Sequence, residues 1–327
     1  MEKTFTNIAE LLDFLEFDGT NREKVLVNPK FITLVPMRLA QKMAKNNPEC
    51  PIFLQFVPLK KELEKDPSFN DEPVKDTLFK VGKKILQKYE GRSLILTTKA
   101  CAMHCRYCFR QNFPYYTEQK GFREEIDLIK TRSDLHEVIL SGGDPLSLNH
   151  KSLLELLHEL NRIDHLQFVR FHTRTLISHP EKITEELIDF FKTTSKKIVF
   201  VLHINHPLEI DDQIVAVCTA LKKVGVTLLS QSVLLKGVND NYETLKKLCL
   251  HLFKAGILPY YLHQLDRVQG GKHFEVDKEV GLNLVQKLRE SLPGYLVPKY
   301  VEEIPNQKSK TPVENATSAL TFSSQES

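Results

Sequence analysis

Three cysteines stand within eight residues of one another, in the run CAMHCRYCFR. Cys101, Cys105 and Cys108 have the spacing Cys-x3-Cys-x2-Cys, and the aromatic Tyr107 precedes the last of them. A structural zinc site normally takes four protein ligands, so these three thiols are one ligand short. An iron–sulfur cube can take one cysteine on each of three irons and leave its fourth iron open for an outside ligand. The run therefore predicts a 4Fe–4S cluster that does chemistry, with a zinc site as the alternative.

The other three cysteines do not complete a zinc site. Cys50, Cys218 and Cys249 are isolated, and the last two lie in stretches with helical periodicity, which favours buried thiols. His104 is adjacent to Cys105 and is therefore poorly placed to share one ion with it. The N-terminal run MEKTFTNIAELLDFLEF is amphipathic and acidic, unlike a signal peptide, and no apolar run reaches the roughly 18 residues of a membrane span. We therefore expect a cytoplasmic location with reduced thiols.

A second candidate site is the run SGGDPL, from Ser141 to Leu146. Gly142 and Gly143 have no Cβ, so the backbone there can approach a ligand closely. The same run suits a plain turn from a strand into a helix, since Gly, Asp and Pro are common turn residues. On its own the run leaves both interpretations open.

Both runs follow strands in a repeating pattern. Six apolar or β-branched runs recur, the last five beginning about thirty residues apart, which is the length of a strand and its return helix. They are SLILTT, EVILSGG, LQFVRFHT, KIVFVLHIN, VTLLSQSVLL and LPYYLHQL. The stretches between them have apolar residues at helical spacing, and two end in Gly225 or Gly256. Six strand–helix units predict an α/β fold with a parallel sheet, either a partial open (βα)6 barrel or a doubly wound sheet, with the site at the C-terminal ends of the strands.

The chain of 327 residues divides into three predicted parts. Residues 1–90 predict a mostly helical N-terminal extension, and residues 91–293 predict the barrel. Residues 294–327 form a C-terminal segment whose polar end predicts disorder. Lys and Arg number 45 against 42 Asp and Glu, and a net charge of +3 gives no basis for nucleic-acid binding.

The cysteine spacing, with an aromatic residue before the last cysteine, resembles that of the radical S-adenosylmethionine enzymes. The resemblance implies that the three cysteines hold a 4Fe–4S cluster whose open iron binds S-adenosylmethionine, and that an external electron donor reduces the cluster. The reduced cluster then cleaves S-adenosylmethionine to a 5′-deoxyadenosyl radical, which removes a hydrogen from the substrate. It also implies that Gly142, Gly143 and Asp144 receive the amino group of S-adenosylmethionine.

Longer stretches in the same order are similar to the lysine 2,3-aminomutase family. They are KYEGRSLILTTKACAMHCRYCFR, VILSGGDPLSL, HINHPLEI, SQSVLLKGVND, PYYLHQLDRVQGGKHFEV, GYLVP and KTPV. The resemblance implies pyridoxal 5′-phosphate as a further cofactor, which delocalises the radical while the amino group of L-lysine moves from the α- to the β-carbon. Lys310, before the Thr-Pro of KTPV, matches the family's Schiff-base lysine, and Lys308 is its competitor. The match implies that the C-terminal segment folds back over the site.

Further family positions carry over to single residues. Arg110 matches the residue that pairs with the substrate carboxylate, which suits the planar guanidinium. Tyr89 and Lys88 match residues that contact the pyridoxal phosphate, although Lys88 stands where an arginine is usual. His203 and Gln231 match residues near S-adenosylmethionine, and for both the alternative is a structural polar residue at a strand end.

Two acids match the pair that receives the terminal ammonium of lysine in the family. They are Asp266, in HQLD, and Glu303, seven residues before Lys310. An ammonium in a closed site needs a carboxylate partner, so two acids favour a cationic substrate over glutamate. Glu303 stands where aspartate is usual in the enzymes that act on free lysine, so its charge lies about one methylene further out.

Other departures resemble the short branch of the family, which makes β-lysine for attachment to translation elongation factor P. Residues 306–309 replace a glycine-rich run, and His263 stands where catabolic members have tyrosine. Asn241 replaces a zinc-binding cysteine and the family's C-terminal extension is missing, so we expect no zinc. The resemblance implies a functional link to elongation factor P and its lysyl ligase, with catabolic β-lysine formation as the alternative role. The competing classes are a radical S-adenosylmethionine enzyme without pyridoxal phosphate and a zinc-stabilised binding protein.

Overall fold

One nine-stranded sheet contains all six runs predicted as strands. The computed structural model describes residues 3–116, 118 and 121–313. The strands over this part of the chain are β1 (Thr4–Phe5), β2 (Val35–Pro36), β3 (Ile85–Tyr89), β4 (Arg92–Thr98), β5 (Glu137–Gly142), β6 (Phe168–Thr173), β7 (Lys197–His203), β8 (Thr227–Val233), β9 (Leu258–His263), β10 (Lys299–Glu302) and β11 (Thr311–Pro312). Strands β4 to β9 are the predicted runs, and each pairs in parallel with the next, so the prediction of a parallel sheet is confirmed.

One helix follows each of these six strands. The α-helices are α1 (Ile8–Phe14), α2 (Gly19–Glu23), α3 (Met37–Ala40), α4 (Pro51–Phe56), α5 (Arg123–Lys130), α6 (His150–Asn161), α7 (Glu185–Thr193), α8 (Asp212–Lys223), α9 (Tyr242–Lys254) and α10 (Lys278–Ser291). Thr184, Asp211 and Asn241 begin α7, α8 and α9, because their side chains accept hydrogen bonds from N–H groups of the first turn. Gly225 and Gly256 have positive φ just after α8 and α9, so the predicted glycine stops are confirmed.

The order of the strands distinguishes between the two predicted architectures. The order is β11-β10-β9-β8-β7-β6-β5-β4-β3, so the six parallel strands stand in chain order. A doubly wound sheet reverses its strand order at a switch point, and this sheet does not. The edge strands β3 and β11 are not paired with each other, and each is antiparallel to its one neighbour. The fold is therefore the predicted partial, open (βα)6 barrel.

The first ninety residues depart from the predicted helical extension at their C-terminal end. Ile85–Tyr89 forms β3, which pairs antiparallel with β4 and so extends the sheet. Glu90 and Gly91 make the turn between the two strands, and Gly91 has a φ of +72° that favours glycine. Lys88 and Tyr89 therefore lie on an edge strand of the barrel sheet instead of a separate helical part.

The C-terminal segment folds back onto the sheet as predicted. Strand β10 is parallel to β9, and β11 turns back antiparallel to β10. Glu303 follows β10 and Lys310 precedes β11, so the turn between these strands brings the two side chains together. The disorder predicted for the end of the chain concerns residues 314–327, which lie outside the described residues.

The core lies between the sheet and the helices that cover it. Phe171 on β6 and Phe200 on β7 are fully buried and stack with ring centroids 4.5 Å apart. Buried leucines of the covering helices, such as Leu157, Leu187 and Leu221, pack in the same cluster, and the removal of such side chains from water drives folding. In the described ranges no helix has the length and apolar character needed to cross a membrane.

Candidate active site

Every residue that the sequence predicted for the site lines a single cavity of about 340 Å³. It lies where the parallel strands end, as expected for this type of fold. Its lining includes the predicted cluster ligands Cys101, Cys105 and Cys108, and the predicted cofactor and substrate residues Lys88, Tyr89, Arg110, Gly142, Gly143, Asp144, His203, Gln231, Asp266, Glu303 and Lys310. The structure brings these residues together, while the role of each stays a prediction.

The two glycines of SGGDP allow β5 to approach the loop that carries the cysteines. A Cβ on Gly142 would lie 2.6 Å from the carbonyl oxygen of Thr98, and one on Gly143 would lie 2.2 Å from that of Ala100. The N–H of Gly143 donates to Thr98 O at 2.7 Å. The sequence predicts that these glycines let a ligand come close to the backbone. In these contacts the group that comes close is the backbone of residues 98–100, and the contact fixes the start of the cysteine loop.

Asp144 ties the ends of β5 and β6 together. One carboxylate oxygen accepts from Leu146 N at 3.0 Å and Thr173 Oγ1 at 2.8 Å. The other accepts from Arg174 N at 2.7 Å and Thr175 N at 3.0 Å. Because both oxygens of this buried side chain have protein donors, its contacts here organise the loops around the cavity.

Arg174 connects the cysteine loop to a buried polar network. Its Nη1 donates to Cys105 Sγ at 2.9 Å and also contacts the hydroxyl of Tyr107. Its Nη2 donates to Gln55 Oε1 at 2.6 Å and to Glu209 Oε2 at 3.1 Å. The side chains of Arg174 and Glu209 are 7% and 0% exposed, so this ion pair is fully removed from water. The network ties the cysteine loop to Gln55 of α4 and to Glu209 after β7.

The thiols fit an iron–sulfur cluster better than a single zinc ion. Burial raises the pKa of Cys108 to about 11 and also raises that of Cys101, so these sulfurs need bound iron to lose their protons. All three cysteines are free thiols on one cavity wall. Within the described ranges no three His, Cys, Asp or Glu side chains converge on a point that could hold one metal ion. A cube, which binds each thiolate through a different iron, does not need such convergence.

Arg110 is held at the cavity wall by a partner that the sequence analysis missed. Its Nε donates to Asp76 Oδ2 at 2.8 Å, and its Nη1 donates to Ser141 Oγ at 3.1 Å. Asp76 begins a 3₁₀ helix, Asp76–Phe79, after a residue with left-handed backbone, and both paired side chains are about nine-tenths buried. The carboxylate orients the guanidinium, whose other nitrogen is not engaged by these two contacts.

Glu303 is the centre of a second polar cluster in the cavity, formed with Lys88, Tyr89 and Lys310, which we call the lysine end. Its Oε2 accepts from Lys310 Nζ at 2.6 Å, and its Oε1 accepts from Tyr89 OH at 2.7 Å and from Lys88. Burial alone would raise the pKa of Glu303, but the Lys310 ammonium and these hydrogen bonds lower it to about 2. Glu303 is therefore ionised and already paired with two lysines.

The pKa of Asp266 is shifted in the opposite direction to that of Glu303. Burial raises its pKa to about 7, and the negative charge of Glu303 adds to this, while Lys310 acts against it. In the part of the chain that the structure describes, its carboxylate has no hydrogen-bond or ion-pair partner. A half-buried carboxyl that lines a cavity without a partner can receive an ammonium group from a ligand.

The remaining predicted residues, His203 and Gln231, also line the cavity. His203 and Gln231 are paired residues of β7 and β8. His203 Nε2 is 3.1 Å from the hydroxyl of Tyr107, and burial lowers the pKa of this histidine well below its usual range, so its ring is neutral. His203 is the last residue of β7 and Gln231 lies two residues before the end of β8, which fits either a structural or a ligand-binding role.

The lysine end of the cavity also fits pyridoxal phosphate. Lys310 Nζ lies 5.9 Å from the centre of the Tyr261 ring, so the amine faces an aromatic wall. Arg92 supplies positive charge for a phosphate, and its guanidinium lies over the Tyr89 ring at 4.8 Å, whereas the charge of Lys88 is engaged by Glu303. Arg92, like Asp76 and Arg174, was missed because nothing around it in the sequence distinguishes it from a solvated charge.

Comparisons with known proteins agree with this geometry. Residues 95–249 match the model of the Radical SAM superfamily. The chain is 39% identical over 316 residues to the L-lysine 2,3-aminomutase of Buchnera aphidicola, covering 95% of this chain and 93% of that protein. It is also 39% identical to that of Escherichia coli, covering 94% and 92%. The L-lysine 2,3-aminomutase of Clostridium subterminale is 32% identical, with 89% of this chain and 68% of that protein covered. The chain belongs to the L-lysine 2,3-aminomutase family of radical SAM proteins.

Proposed function

We propose that this chain is an L-lysine 2,3-aminomutase, an isomerase that moves the α-amino group of L-lysine to the β-carbon. The observation that carries the proposal is one cavity with three free thiols at one end and Lys310 at the other, in a chain of this family. Either end alone would fit many enzymes. Their combination fits a reaction that needs both a radical source and a group that carries the migrating amine.

The two ends of the cavity suit two kinds of cofactor. Cys101, Cys105 and Cys108 would hold a 4Fe–4S cluster, and Lys310 would hold pyridoxal phosphate, with Lys88 and Arg92 near its phosphate. When bound, the cluster with S-adenosylmethionine supplies a radical that removes a substrate hydrogen, and pyridoxal phosphate stabilises the radical while the amine moves. The chain contributes binding and orientation, because Arg174 and Glu303 fix the two ends separately.

The polar groups that remain available match the two charged ends of lysine. Arg110, oriented by Asp76, suits the substrate carboxylate through a planar hydrogen-bonding face. Asp266 suits the terminal ammonium, since a nearby positive charge keeps its buried carboxyl ionised. Glu303 forms ion pairs with both Lys88 and Lys310. We therefore propose that it affects substrate binding indirectly, by positioning Lys310.

The test is an anaerobic assay of the reconstituted protein. The chain would be loaded with iron, sulfide and pyridoxal phosphate, then given dithionite, S-adenosylmethionine and L-lysine, and β-lysine would be measured by mass spectrometry after derivatisation. L-glutamate would run in parallel and should give no β-amino acid. Formation of 5′-deoxyadenosine without β-lysine would contradict the substrate assignment. Absence of both products, in protein shown to hold its cluster, would contradict the reaction class.

We also propose that the product serves the modification of translation elongation factor P. Support comes from the features shared with the short branch of the family and from the higher identity to relatives of similar length than to the longer clostridial protein. The test is to hydrolyse elongation factor P from cells with and without the gene and separate β-lysine from α-lysine by chromatography. Loss of β-lysine in the deletion strain supports the role, and an unchanged factor with slower growth on lysine supports catabolism.

A further inference from the structure

The outward side of the cysteine loop is covered by two segments that pair with each other. We call residues 24–34 and 58–65 the loop cover. Leu26 N donates to Pro58 O at 3.0 Å, and Lys60 N donates to Lys24 O at 2.9 Å, so the segments form one surface. None of its residues lines the cavity, so it has no part in the proposed binding of the substrate and cofactors.

The inner side of the loop cover contacts residues that stand between the cysteines. His104 Nδ1 is 2.8 Å from Ile32 O, and the His104 ring stacks on Phe31 at 4.6 Å. Arg106 donates to Phe31 O at 2.8 Å and forms an ion pair with Glu62 at 2.6 Å. A molecule docked on the outer side of the cover would therefore be separated from the cysteine loop by a single layer of residues.

The outer side of the loop cover is apolar and positively charged. Val27, Ile32 and Leu63 are 62%, 63% and 64% exposed, which is unusual for large apolar side chains on one small surface. Five lysines stand in the cover against two glutamates, so its net charge equals the +3 of the whole chain. Glu62 is neutralised by Arg106. The lysines are Lys24, Lys30, Lys60, Lys61 and Lys65, and among the described residues none of them has a carboxylate within ion-pair distance.

We propose that the loop cover is the docking surface for a small acidic one-electron carrier, of the flavodoxin or ferredoxin class, that reduces the cluster. This rests on the proposed function, because only a cluster in the cysteine loop needs an electron there. The carrier is oxidised by one electron and the cluster is reduced by one, and that electron then passes to S-adenosylmethionine. A second copy of this chain would present the same positive surface and be repelled. A nucleic acid would leave the three apolar side chains without partners.

The test uses two double variants of the reconstituted chain. The first is Lys60→Glu with Lys61→Glu, and the matched control is Lys222→Glu with Lys223→Glu, an exposed lysine pair at the end of α8. Reduction by flavodoxin hydroquinone would be followed in a stopped-flow instrument through the visible absorption of the cluster. At low salt the first variant should react about tenfold more slowly than the parent, with the difference shrinking as salt rises. The control should react at the parent rate.

Dithionite separates docking from damage to the cluster. It is small and does not depend on a docking surface, so it should reduce the parent and both variants at equal rates. A further variant, Ile32→Ser, should slow reduction by flavodoxin at all salt concentrations, because it removes apolar contact instead of charge.

Four outcomes of the reduction experiment would overturn the proposal. They are reduction of the Lys60 and Lys61 variant by flavodoxin at the parent rate, an equal slowing with dithionite, an equal slowing of the control, and a parent that neither flavodoxin hydroquinone nor reduced ferredoxin reduces. A parent that binds a DNA duplex through these lysines and ignores flavodoxin would also overturn it. The readout needs neither lysine nor pyridoxal phosphate, so a failed β-lysine assay and a failed docking test are distinguishable.

Discussion

The two ends of the cavity are each organised around one charged side chain, but they differ in burial. At the cysteine end, Arg174 and Glu209 are 7% and 0% exposed. At the lysine end, Lys310 and Glu303 are 24% and 12% exposed. The first pair belongs to a network within the core of the barrel, whereas the second joins a turn near the C-terminus to an edge strand.

This difference matches what each end has to do. A fully buried ion pair is costly to break, because each partner left alone is a charge without solvent, so the cysteine end is rigid. A partly exposed pair is screened by water and exchanges partners at lower cost. The lysine end therefore suits the role proposed for Lys310, in which its amine would leave Glu303 to bind a cofactor.

The largest expected effect is the loss of β-lysine formation when Lys310 or Cys108 is replaced. The two variants should differ in which visible absorption they lose. Lys310→Ala should lower β-lysine formation by about a thousandfold or more, the size typical of removing a covalent catalytic group. It should keep the brown absorption of the cluster and lose the yellow absorption of bound pyridoxal phosphate. Cys108→Ser should lose the brown absorption and keep the yellow. Visible spectra of the reconstituted variants, with a β-lysine assay, measure both.

Lys308→Ala is the matched control for the lysine variant. Lys308 is exposed in the same turn, two residues from Lys310, and among the described residues its side chain has no partner. It should keep the activity and both absorptions of the parent. If Lys308→Ala lost the yellow absorption and Lys310→Ala kept it, the assignment of the cofactor lysine would be wrong.

The next effect is on folding stability at the cysteine end. Arg174→Met should lower the free energy of unfolding by about 3 to 5 kcal/mol, because it leaves Glu209 buried without its partner. Urea denaturation of the cofactor-free protein measures this. Arg132→Met is the control, since Arg132 pairs with Asp134 at the surface and should cost less than about 1 kcal/mol. A loss at Arg174 as small as that would show that the cysteine end is not the rigid one.

The two carboxyl groups at the lysine end should give opposite pH dependences of stability. The pKa of Glu303 is about 2, below its ordinary 4.5, so its stabilising contribution is complete above pH 4.5 and is lost as the pH falls towards 2. The pKa of Asp266 is about 7, above its ordinary 3.8. Its contribution is therefore complete below pH 3.8 and is lost as the pH rises from there to 7.

Single amide substitutions separate these two windows. Asp266→Asn should stabilise the cofactor-free protein at pH 8 by about 1 to 3 kcal/mol relative to the parent and flatten the profile between pH 4 and 7. Glu303→Gln should remove part of the acid sensitivity below pH 4.5. Thermal unfolding across pH measures both, with Asp164→Asn as an exposed control for the loss of one negative charge. A destabilised Asp266→Asn at pH 8 would mean that Asp266 has a cationic partner in the folded protein.

The comparison of the two ends also explains how far the sequence could predict the site. Strand–helix alternation is a local pattern, so the barrel, the position of the cysteine loop and the edge where the site lies were all predictable. The contacts that hold the lysine end join residues 214 and 215 positions apart, and no local pattern reports them. The same is true of Arg174, whose contacts reach Gln55, 119 positions away.

Strand β3 shows the same limit at the level of secondary structure. Its sequence, ILQKY, contains Leu, Gln and Lys, which favour helices when considered alone. Only the turn at Gly91 indicates a hairpin, and pairing with β4 then overrides the propensity. This strand carries Lys88 and Tyr89. Because residues 85–89 were predicted to be helical, the sequence did not indicate that the edge of the sheet contributes residues to the lysine end.

The smallest expected effect tests whether Tyr89 acts through Glu303. Tyr89→Phe removes one neutral donor from Glu303 and leaves its contacts with Lys310 and Lys88, so we expect pyridoxal phosphate to bind about two- to fivefold more weakly, the size of one hydrogen bond. Absorbance titration of the cluster-loaded protein measures this, and Tyr295→Phe, with a ring that is 60% exposed, is the control. A loss of more than about tenfold would show that the hydroxyl contacts the cofactor directly, as the family resemblance implies, because losing a direct contact with the ligand costs more binding than removing one of three donors to Glu303. Affinity equal to that of the parent would show that Lys88 and Lys310 hold Glu303 without help, and would leave the lysine end organised by its two ion pairs alone.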